Sequence, residues 1–126
     1  MIKTKRSGWP FAETVAHLSA AIADAGNTVF ATIDQSAAAR AAGLALRPTT
    51  LIVFGNPRGG TPLMDEFPLV ALDLPLKIVV WEEDGGVNVT YEPVSEIAAR
   101  YQVTGMDARI AAMDAALEAL TAGLSP

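Results

Sequence analysis

A hairpin in the second half of the chain constrains the fold more than any other feature. Two segments rich in β-branched and aromatic residues, Pro75–Glu83 and Val87–Glu92, flank the sequence Asp84-Gly85-Gly86. Asp-Gly and Gly-Gly pairs favour tight hairpin turns, because glycine readily adopts the positive φ angles that these turns need. The two segments are therefore predicted to be neighbouring antiparallel strands. An all-helical or an all-parallel architecture is excluded.

Three earlier segments also have the composition of strands. Thr28–Asp34 alternates and is rich in β-branched residues, and Thr49–Phe54 is almost continuously apolar, which is typical of a central strand. Ile2–Ser7 carries Lys3 and Lys5, and lysine suits an exposed face or the edge of a sheet. With the hairpin, these segments predict a sheet of five strands.

Two segments have the period of an amphipathic helix, because their apolar residues recur at spacings of four, three, four and three. The first begins at Pro10 and ends before Gly26, and the second runs from about Met106 to Ala122. The apolar residues are Phe11, Val15, Leu18, Ile22 and Ala25 in the first segment, and Met106, Ile110, Met113, Leu117 and Leu120 in the second. Shorter helices are predicted for Gln35–Ala42, for turns between Thr61 and Asp73, and from Pro93 to about Tyr101.

A helix with a single apolar stripe buries that stripe against a sheet. The predicted fold is therefore α+β, a mostly antiparallel five-stranded sheet with two long helices on one face. The element order is β-α-β-β-β-β-α with extra short helices. The 126 residues correspond to one domain, residues 1–126, by the usual size of domains.

Composition excludes several classes of function. The chain has no cysteine and one histidine, His17, so we expect no thiolate chemistry, no metal site and no cofactor. The net charge of −5 argues against nucleic acid as a partner. No apolar run approaches the roughly 20 residues that span a membrane, and no signal peptide follows the basic N-terminus. We therefore expect a cytoplasmic protein with no membrane partner.

The segment Gly55–Gly60 is predicted to be a glycine-rich loop between a strand and a helix that begins with Thr61 as N-cap and Pro62 at its first position. Its glycine spacing matches a phosphate-binding P-loop, but the lysine is absent and proline replaces the metal-binding hydroxyl. Nucleotide hydrolysis is therefore excluded. Two interpretations stay open, a weak anion site and a simple turn at Gly55-Asn56-Pro57. The residues of the anion site are Arg58 for charge, Gly59 and Gly60 for close backbone approach, and Thr61 for its hydroxyl.

Two aspartates, Asp34 and Asp73, each end an apolar segment and are candidates for a general base of raised pKa. The alternative for Asp34 is a helix cap, and the alternative for Asp73 is a carboxylate that braces a turn or loop. Whether the chain is an enzyme stays open at this point.

The segments FGNPRGGTPLM, Phe54–Met64, and ALDLPLKIVVWEEDG, Ala71–Gly85, resemble the domain of unknown function 302 family. The resemblance extends over nearly the whole chain. It implies a small α+β domain similar in outline to the β-α-β4-α arrangement of the TATA-binding protein, and it implies a homodimer. Members of the family often have histidine after the Ile-Asp pair, where this chain has Gln35. Glutamine cannot titrate, so the difference disfavours acid–base or metal chemistry at this position.

Three hypotheses follow. The leading one is a homodimeric binding or sensing domain with a small, anionic ligand near Asn56, Arg58, Thr61 and Met64. The second is an enzyme that uses Asp34 or Asp73 in carboxylate acid–base chemistry. The third is a structural or interaction module whose dimer face is the sheet or the last helix.

Overall fold

Five strands form one antiparallel sheet in the computed structural model, which describes all 126 residues. The strands are β1 (Lys3–Ser7), β2 (Thr28–Asp34), β3 (Thr49–Gly55), β4 (Leu76–Glu83) and β5 (Gly86–Tyr91). They lie in the order β1-β5-β4-β3-β2, and every neighbouring pair is antiparallel. The lysine-bearing strand β1 is at one edge, as predicted, and the apolar strand β3 is internal.

The hairpin between β4 and β5 is confirmed, but its turn is one residue shorter than predicted. Glu83 pairs with Gly86, so only Asp84 and Gly85 form the turn. Both have positive φ angles, 53° and 77°, as a two-residue turn of type I′ requires. Aspartate tolerates a positive φ better than most residues, so Asp84 can occupy the first position of the turn. The turn then needs only Gly85, and Gly86 is part of strand β5.

Five α-helices and one short 3₁₀ helix connect or follow the strands. The α-helices are α1 (Phe11–Asp24), α2 (Gln35–Ala41), α3 (Pro57–Glu66), α4 (Val94–Arg100) and α5 (Asp107–Leu120), and the 3₁₀ helix is Pro68–Leu72. The two long helices, α1 and α5, are those that the apolar period predicted. Helix α4 begins after Pro93, which has no side chain able to cap it, and Asp114 of α5 accepts hydrogen bonds from the first two amides of α4.

The core lies on one face of the sheet. The alternate strand residues Ile52, Phe54, Ile78, Val80 and Val89 are completely buried there against the helices. The helical residues of this cluster include Leu18, Ile22, Leu63, Ile110 and Leu117. The predicted α+β class and the arrangement of the long helices are confirmed.

The opposite face of the sheet does not belong to this core. Leu51, Val53, Val79 and Trp81 point away from it by strand alternation and are only half-buried. The indole N–H of Trp81 donates to the hydroxyl of Thr90 at 2.9 Å, so its one polar group is satisfied. This face, which we call the open sheet face, therefore has an apolar patch at its centre, bordered by the exposed Lys77 opposite Val53.

Glu118 of α5 connects this helix to two strands. Its carboxylate accepts from Lys5 Nζ at 2.9 Å and from the hydroxyl of Tyr91 at 2.8 Å. The hydrogen bond from Lys5, followed by that from Tyr91, lowers the pKa of Glu118 from its ordinary 4.5 to about 2. The burial of Tyr91 and its bond to Glu118 raise the pKa of the phenol to about 12.

We expect Glu118 to make the stability of the protein depend on acid pH. Because the folded-state pKa is depressed, the ionised carboxylate contributes stability above pH 4.5, and the contribution is lost as pH falls toward 2. Thermal melts of the unmodified chain and of Glu118→Gln measured between pH 7 and pH 2 check this. The unmodified chain should melt at higher temperature at neutral pH, and the difference should shrink below pH 4.5. A difference that does not change with pH would contradict the assignment.

Candidate functional site

Helix α3 begins at Pro57 in the segment for which a glycine-rich loop was predicted, and this prediction was wrong. Asn56 is the N-cap, and its side-chain oxygen accepts from the amide of Arg58 at 3.0 Å. The chain contains two cap–proline pairs, Asn56-Pro57 and Thr61-Pro62, and the first one starts the helix. Thr61 and Pro62 therefore lie inside α3.

The early start of α3 uses the amides that an anion would need. Pro57 has no N–H, and the amide of Arg58 is bound by the Asn56 side chain. The amides of Gly59 and Gly60 donate to the carbonyl of Asn56 at 2.9 and 3.0 Å. The first turn of the helix consequently has no unpaired backbone donor to offer to a phosphate or carboxylate.

Pro62 within the helix leaves the carbonyl of Arg58 without its usual donor four residues later. Arg109 of α5 replaces that donor, because its Nη1 donates to the carbonyl of Arg58 at 3.1 Å and reaches that of Gly59 at 3.5 Å. Sequence reasoning missed Arg109, which belongs to no motif. The signal that was available is the proline itself, because a proline inside a helix leaves one backbone carbonyl without its hydrogen-bond donor in the helix.

A cavity of about 190 Å³ lies beside α3. Its walls come from α3, from the start of β4, from α5 and from Phe30 of β2. The lining residues are Phe30, Gly55, Asn56, Pro57, Gly60, Thr61, Met64, Leu74, Pro75, Leu76 and Met113. Four of the six predicted ligand-binding residues, Asn56, Gly60, Thr61 and Met64, therefore share one cavity, whereas Arg58 and Gly59 do not line it.

Phe30 is one of the wall residues that sequence reasoning did not single out. A β-bulge between Val29 and Ala31 interrupts the pairing of β2 with β3 at this residue. The Phe30 side chain is 53% exposed, and its ring reaches the position beside Gly55 where a Cβ would stand. A bulge changes the direction of a side chain, and it has little effect on the residue pattern by which a strand is predicted.

The two candidate aspartates have structural partners, and neither lines the cavity. Asp34 is exposed and caps α2, and its hydrogen bond from Ser36 followed by that from the amide of Ala37 lowers its pKa. Asp73 accepts from the hydroxyl of Tyr101 at 2.5 Å and from Arg100 at 2.8 Å, and these bonds, the one from Tyr101 first, lower its pKa. A general base that works near neutral pH needs the opposite shift.

Gly59 offers a test of the observed start of α3. It has a helical conformation, and nothing lies within 4 Å of the position that a Cβ would take. We expect Gly59→Ala to raise the free energy of unfolding by about 0.5–1 kcal/mol, because alanine loses less backbone entropy on folding. Gly85 is the matched control, since its Cβ position is equally open but its φ is 77°. Gly85→Ala should destabilise the chain in the same urea titration, and equal effects of both would contradict the helix.

The model for the domain of unknown function DUF302 matches residues 3–120. The chain belongs to the DUF302 family. An uncharacterized conserved DUF302 protein from Bacillus stearothermophilus, solved by crystallography, has the same fold with a TM-score of 0.90. That likeness covers 98% of this chain and 97% of the solved one at 19% sequence identity. The resemblance read from the residues is thereby confirmed.

Longer relatives of this DUF302 chain carry a functional name. Proteins of Brucella suis biovar 1, Brucella abortus biovar 1 and Brucella melitensis biotype 1, each called a fluoride-specific ion channel, are 36% identical to it over 121 residues. The alignment covers 95% of this chain but only 45%, 43% and 43% of those proteins. The chain thus spans less than half the length of these relatives. None of its own helices combines the length and the apolar content needed to cross a membrane.

Proposed function

We propose that this DUF302 chain is a cytoplasmic, homodimeric binding module, and that the cavity beside α3 receives a small, largely apolar molecule. The observation that carries the proposal is the lining of the cavity. Small-molecule sites are usually concave and mainly apolar, with a few polar groups that orient the ligand. Phe30, Met64 and Met113 supply apolar surface here, and Asn56 and Thr61 supply the polar groups.

The size and the side chains of the cavity restrict the ligand. A cavity of roughly 150 Å³ is sufficient for benzene, so a volume of about 190 Å³ suits a body of about six carbon atoms. Methionine side chains are flexible and polarisable and adapt to different apolar shapes. The oxygen of the Asn56 side chain is used by the helix cap, which leaves its NH₂ group to donate to a ligand.

Calorimetric titration with hexan-1-ol tests the cavity directly. Gly60 lines it, and an added Cβ there makes only an ordinary contact of 3.5 Å with Met64 Cε, so Gly60→Leu should fold and fill the cavity. We expect hexan-1-ol to bind the unmodified chain and to lose at least tenfold in affinity in Gly60→Leu. Gly59→Leu, one residue away and outside the cavity lining, is the matched control and should retain binding. Absence of binding to the unmodified chain, or equal binding by Gly60→Leu, would refute the site.

The open sheet face supports the homodimer. Five strands about 4.8 Å apart and roughly 20 Å long give a flat face of about 500 Å². Protruding side chains increase its accessible area toward the roughly 800 Å² that each partner buries in a standard interface. Leu51, Val53, Val79 and Trp81 form its apolar centre. Twofold pairing of this face would bury apolar area that one copy leaves partly in water. Sedimentation equilibrium at micromolar concentration should give twice the mass of the chain, and a monomer would contradict the dimer.

A second candidate function rests on the Brucella relatives. Because 95% of this chain aligns with less than half of proteins called fluoride-specific ion channels, we propose that it associates with such a channel. The purified chain should then co-sediment with vesicles that contain a fluoride channel and not with empty vesicles of the same lipids. Equal sedimentation with both would refute this candidate without affecting the cavity.

A further inference from the structure

A wide groove between α1 and α5 adjoins the cavity. It has a volume of about 960 Å³ and shares Asn56 and Met113 with the cavity lining. Alanines of α1 and α5 contribute much of its lining, and its polar residues are Asp24, Asn27, Asn56 and Arg109. A molecule that fills the cavity therefore has a direct continuation into a larger space with polar groups.

Arg109 is the cation of this groove, and it is half-buried beside the cavity. It lies one helical turn before Met113, and its Nη1 reaches the carbonyl of Gly59, whose neighbour Gly60 lines the cavity. The same Nη1 makes both hydrogen bonds that Arg109 has, and no carboxylate pairs with the guanidinium. Its Nη2 and Nε donors are therefore available to a ligand.

An acidic group is also present in the groove, and it limits where an anion can lie. Asp24 ends α1 and forms the opposite wall, without an ion-pair partner. A carboxylate that entered from the cavity would meet Arg109 on the α5 side and would be repelled by Asp24 on the α1 side. The amide of Asn56, at the junction of cavity and groove, is a second donor close to the same place.

We propose that the molecule received by the cavity is an amphipathic carboxylate. Its apolar chain, of about six carbons, fills the cavity, and its carboxylate lies at the junction with the groove, where Arg109 and Asn56 donate to it. The inference rests on the proposed function of the cavity and adds the chemical class of the ligand. The cation proposed to bind the anion is therefore Arg109. Arg58, which the sequence suggested for this role, is exposed and lines neither the cavity nor the groove.

A pair of probes of equal chain length tests the head group. Hexanoate and hexan-1-ol differ only in the charged end, and calorimetric titration at pH 7 gives both affinities. Because hydrogen bonds to charged groups are the stronger ones, we expect hexanoate to bind the unmodified chain at least tenfold more tightly. Arg109→Gln removes the charge and leaves a shorter, neutral side chain that still has N–H donors. This variant should bind both probes equally, whereas the matched control Arg58→Gln should keep the preference for hexanoate.

The outcomes separate this inference from the proposed function. Binding of hexan-1-ol without any preference for hexanoate, or a preference that survives in Arg109→Gln, overturns the carboxylate and leaves the apolar cavity site in place. Failure of both probes to bind overturns both. Binding of hexan-1-ol by Arg109→Gln reports that the variant is folded. If Arg109→Gln does not fold, Asp24→Asn provides the test. Removal of the repelling charge should increase the affinity for hexanoate about threefold and leave the affinity for hexan-1-ol unchanged. An unchanged affinity for hexanoate would overturn the inference.

Discussion

Phe54→Ala is expected to lower the free energy of unfolding by about 3–5 kcal/mol. Phe54 is one of the largest side chains that have no exposed surface, and it lies on the internal strand β3 between Val29 and Leu76 of the neighbouring strands. Truncation removes buried apolar area and leaves a void that the packed surroundings fill only in part. For a chain of this length the melting temperature should fall by roughly 10–20 °C.

Phe30→Ala is the matched control for this prediction. It makes the same chemical change on the adjacent strand, but Phe30 is 53% exposed and belongs to the cavity wall rather than to the core. We expect a cost of less than about 1 kcal/mol, because little buried area is lost. Urea denaturation of both variants gives the comparison. Equal destabilisation would contradict the division between core and cavity wall.

Much of the fold could be predicted because its elements have regular periods. Leu18 and Ile22 belong to a stripe that only a helix would align, and the segments that flank Asp84-Gly85 are rich in the β-branched and aromatic residues typical of strands. Lysines in β1 indicated the edge position that this strand has. These features depend on local spacing, which the printed sequence contains.

The candidate site was harder to predict from the sequence, because its geometry depends on contacts that local residue spacing does not determine. Asn56-Pro57 and Thr61-Pro62 are equally good helix starts, and only packing decides between them. The bulge at Phe30 and the bond from Arg109 to the carbonyl of Arg58 join distant parts of the chain. Residue types alone pointed to the segment from Asn56 to Met64, which borders the cavity, and to Arg58, which does not line it.

Leu51→Lys is expected to weaken the proposed homodimer by at least about a hundredfold in dissociation constant. Leu51 lies on β3 in the open sheet face, opposite Val79 of β4. Twofold symmetry places the substitution in the interface twice, so each dimer would have to remove two ammonium groups from water without partners. In the isolated chain the long lysine side chain can extend to solvent, so the fold should be retained. Sedimentation velocity across a concentration series gives the dissociation constant.

Leu72→Lys is the matched control, since it makes the same change at a side chain that is 75% exposed on the 3₁₀ helix, away from the open sheet face. We expect it to sediment as the unmodified chain does. A dimer that persists in Leu51→Lys but dissociates in Leu72→Lys would place the interface on the helical side. In that case the surface around the cavity would lie within or beside the dimer contact, and ligand and dimer would influence each other. If only Leu51→Lys dissociates, the cavity and the interface lie on opposite faces of the sheet, and hexan-1-ol should bind monomer and dimer with the same affinity.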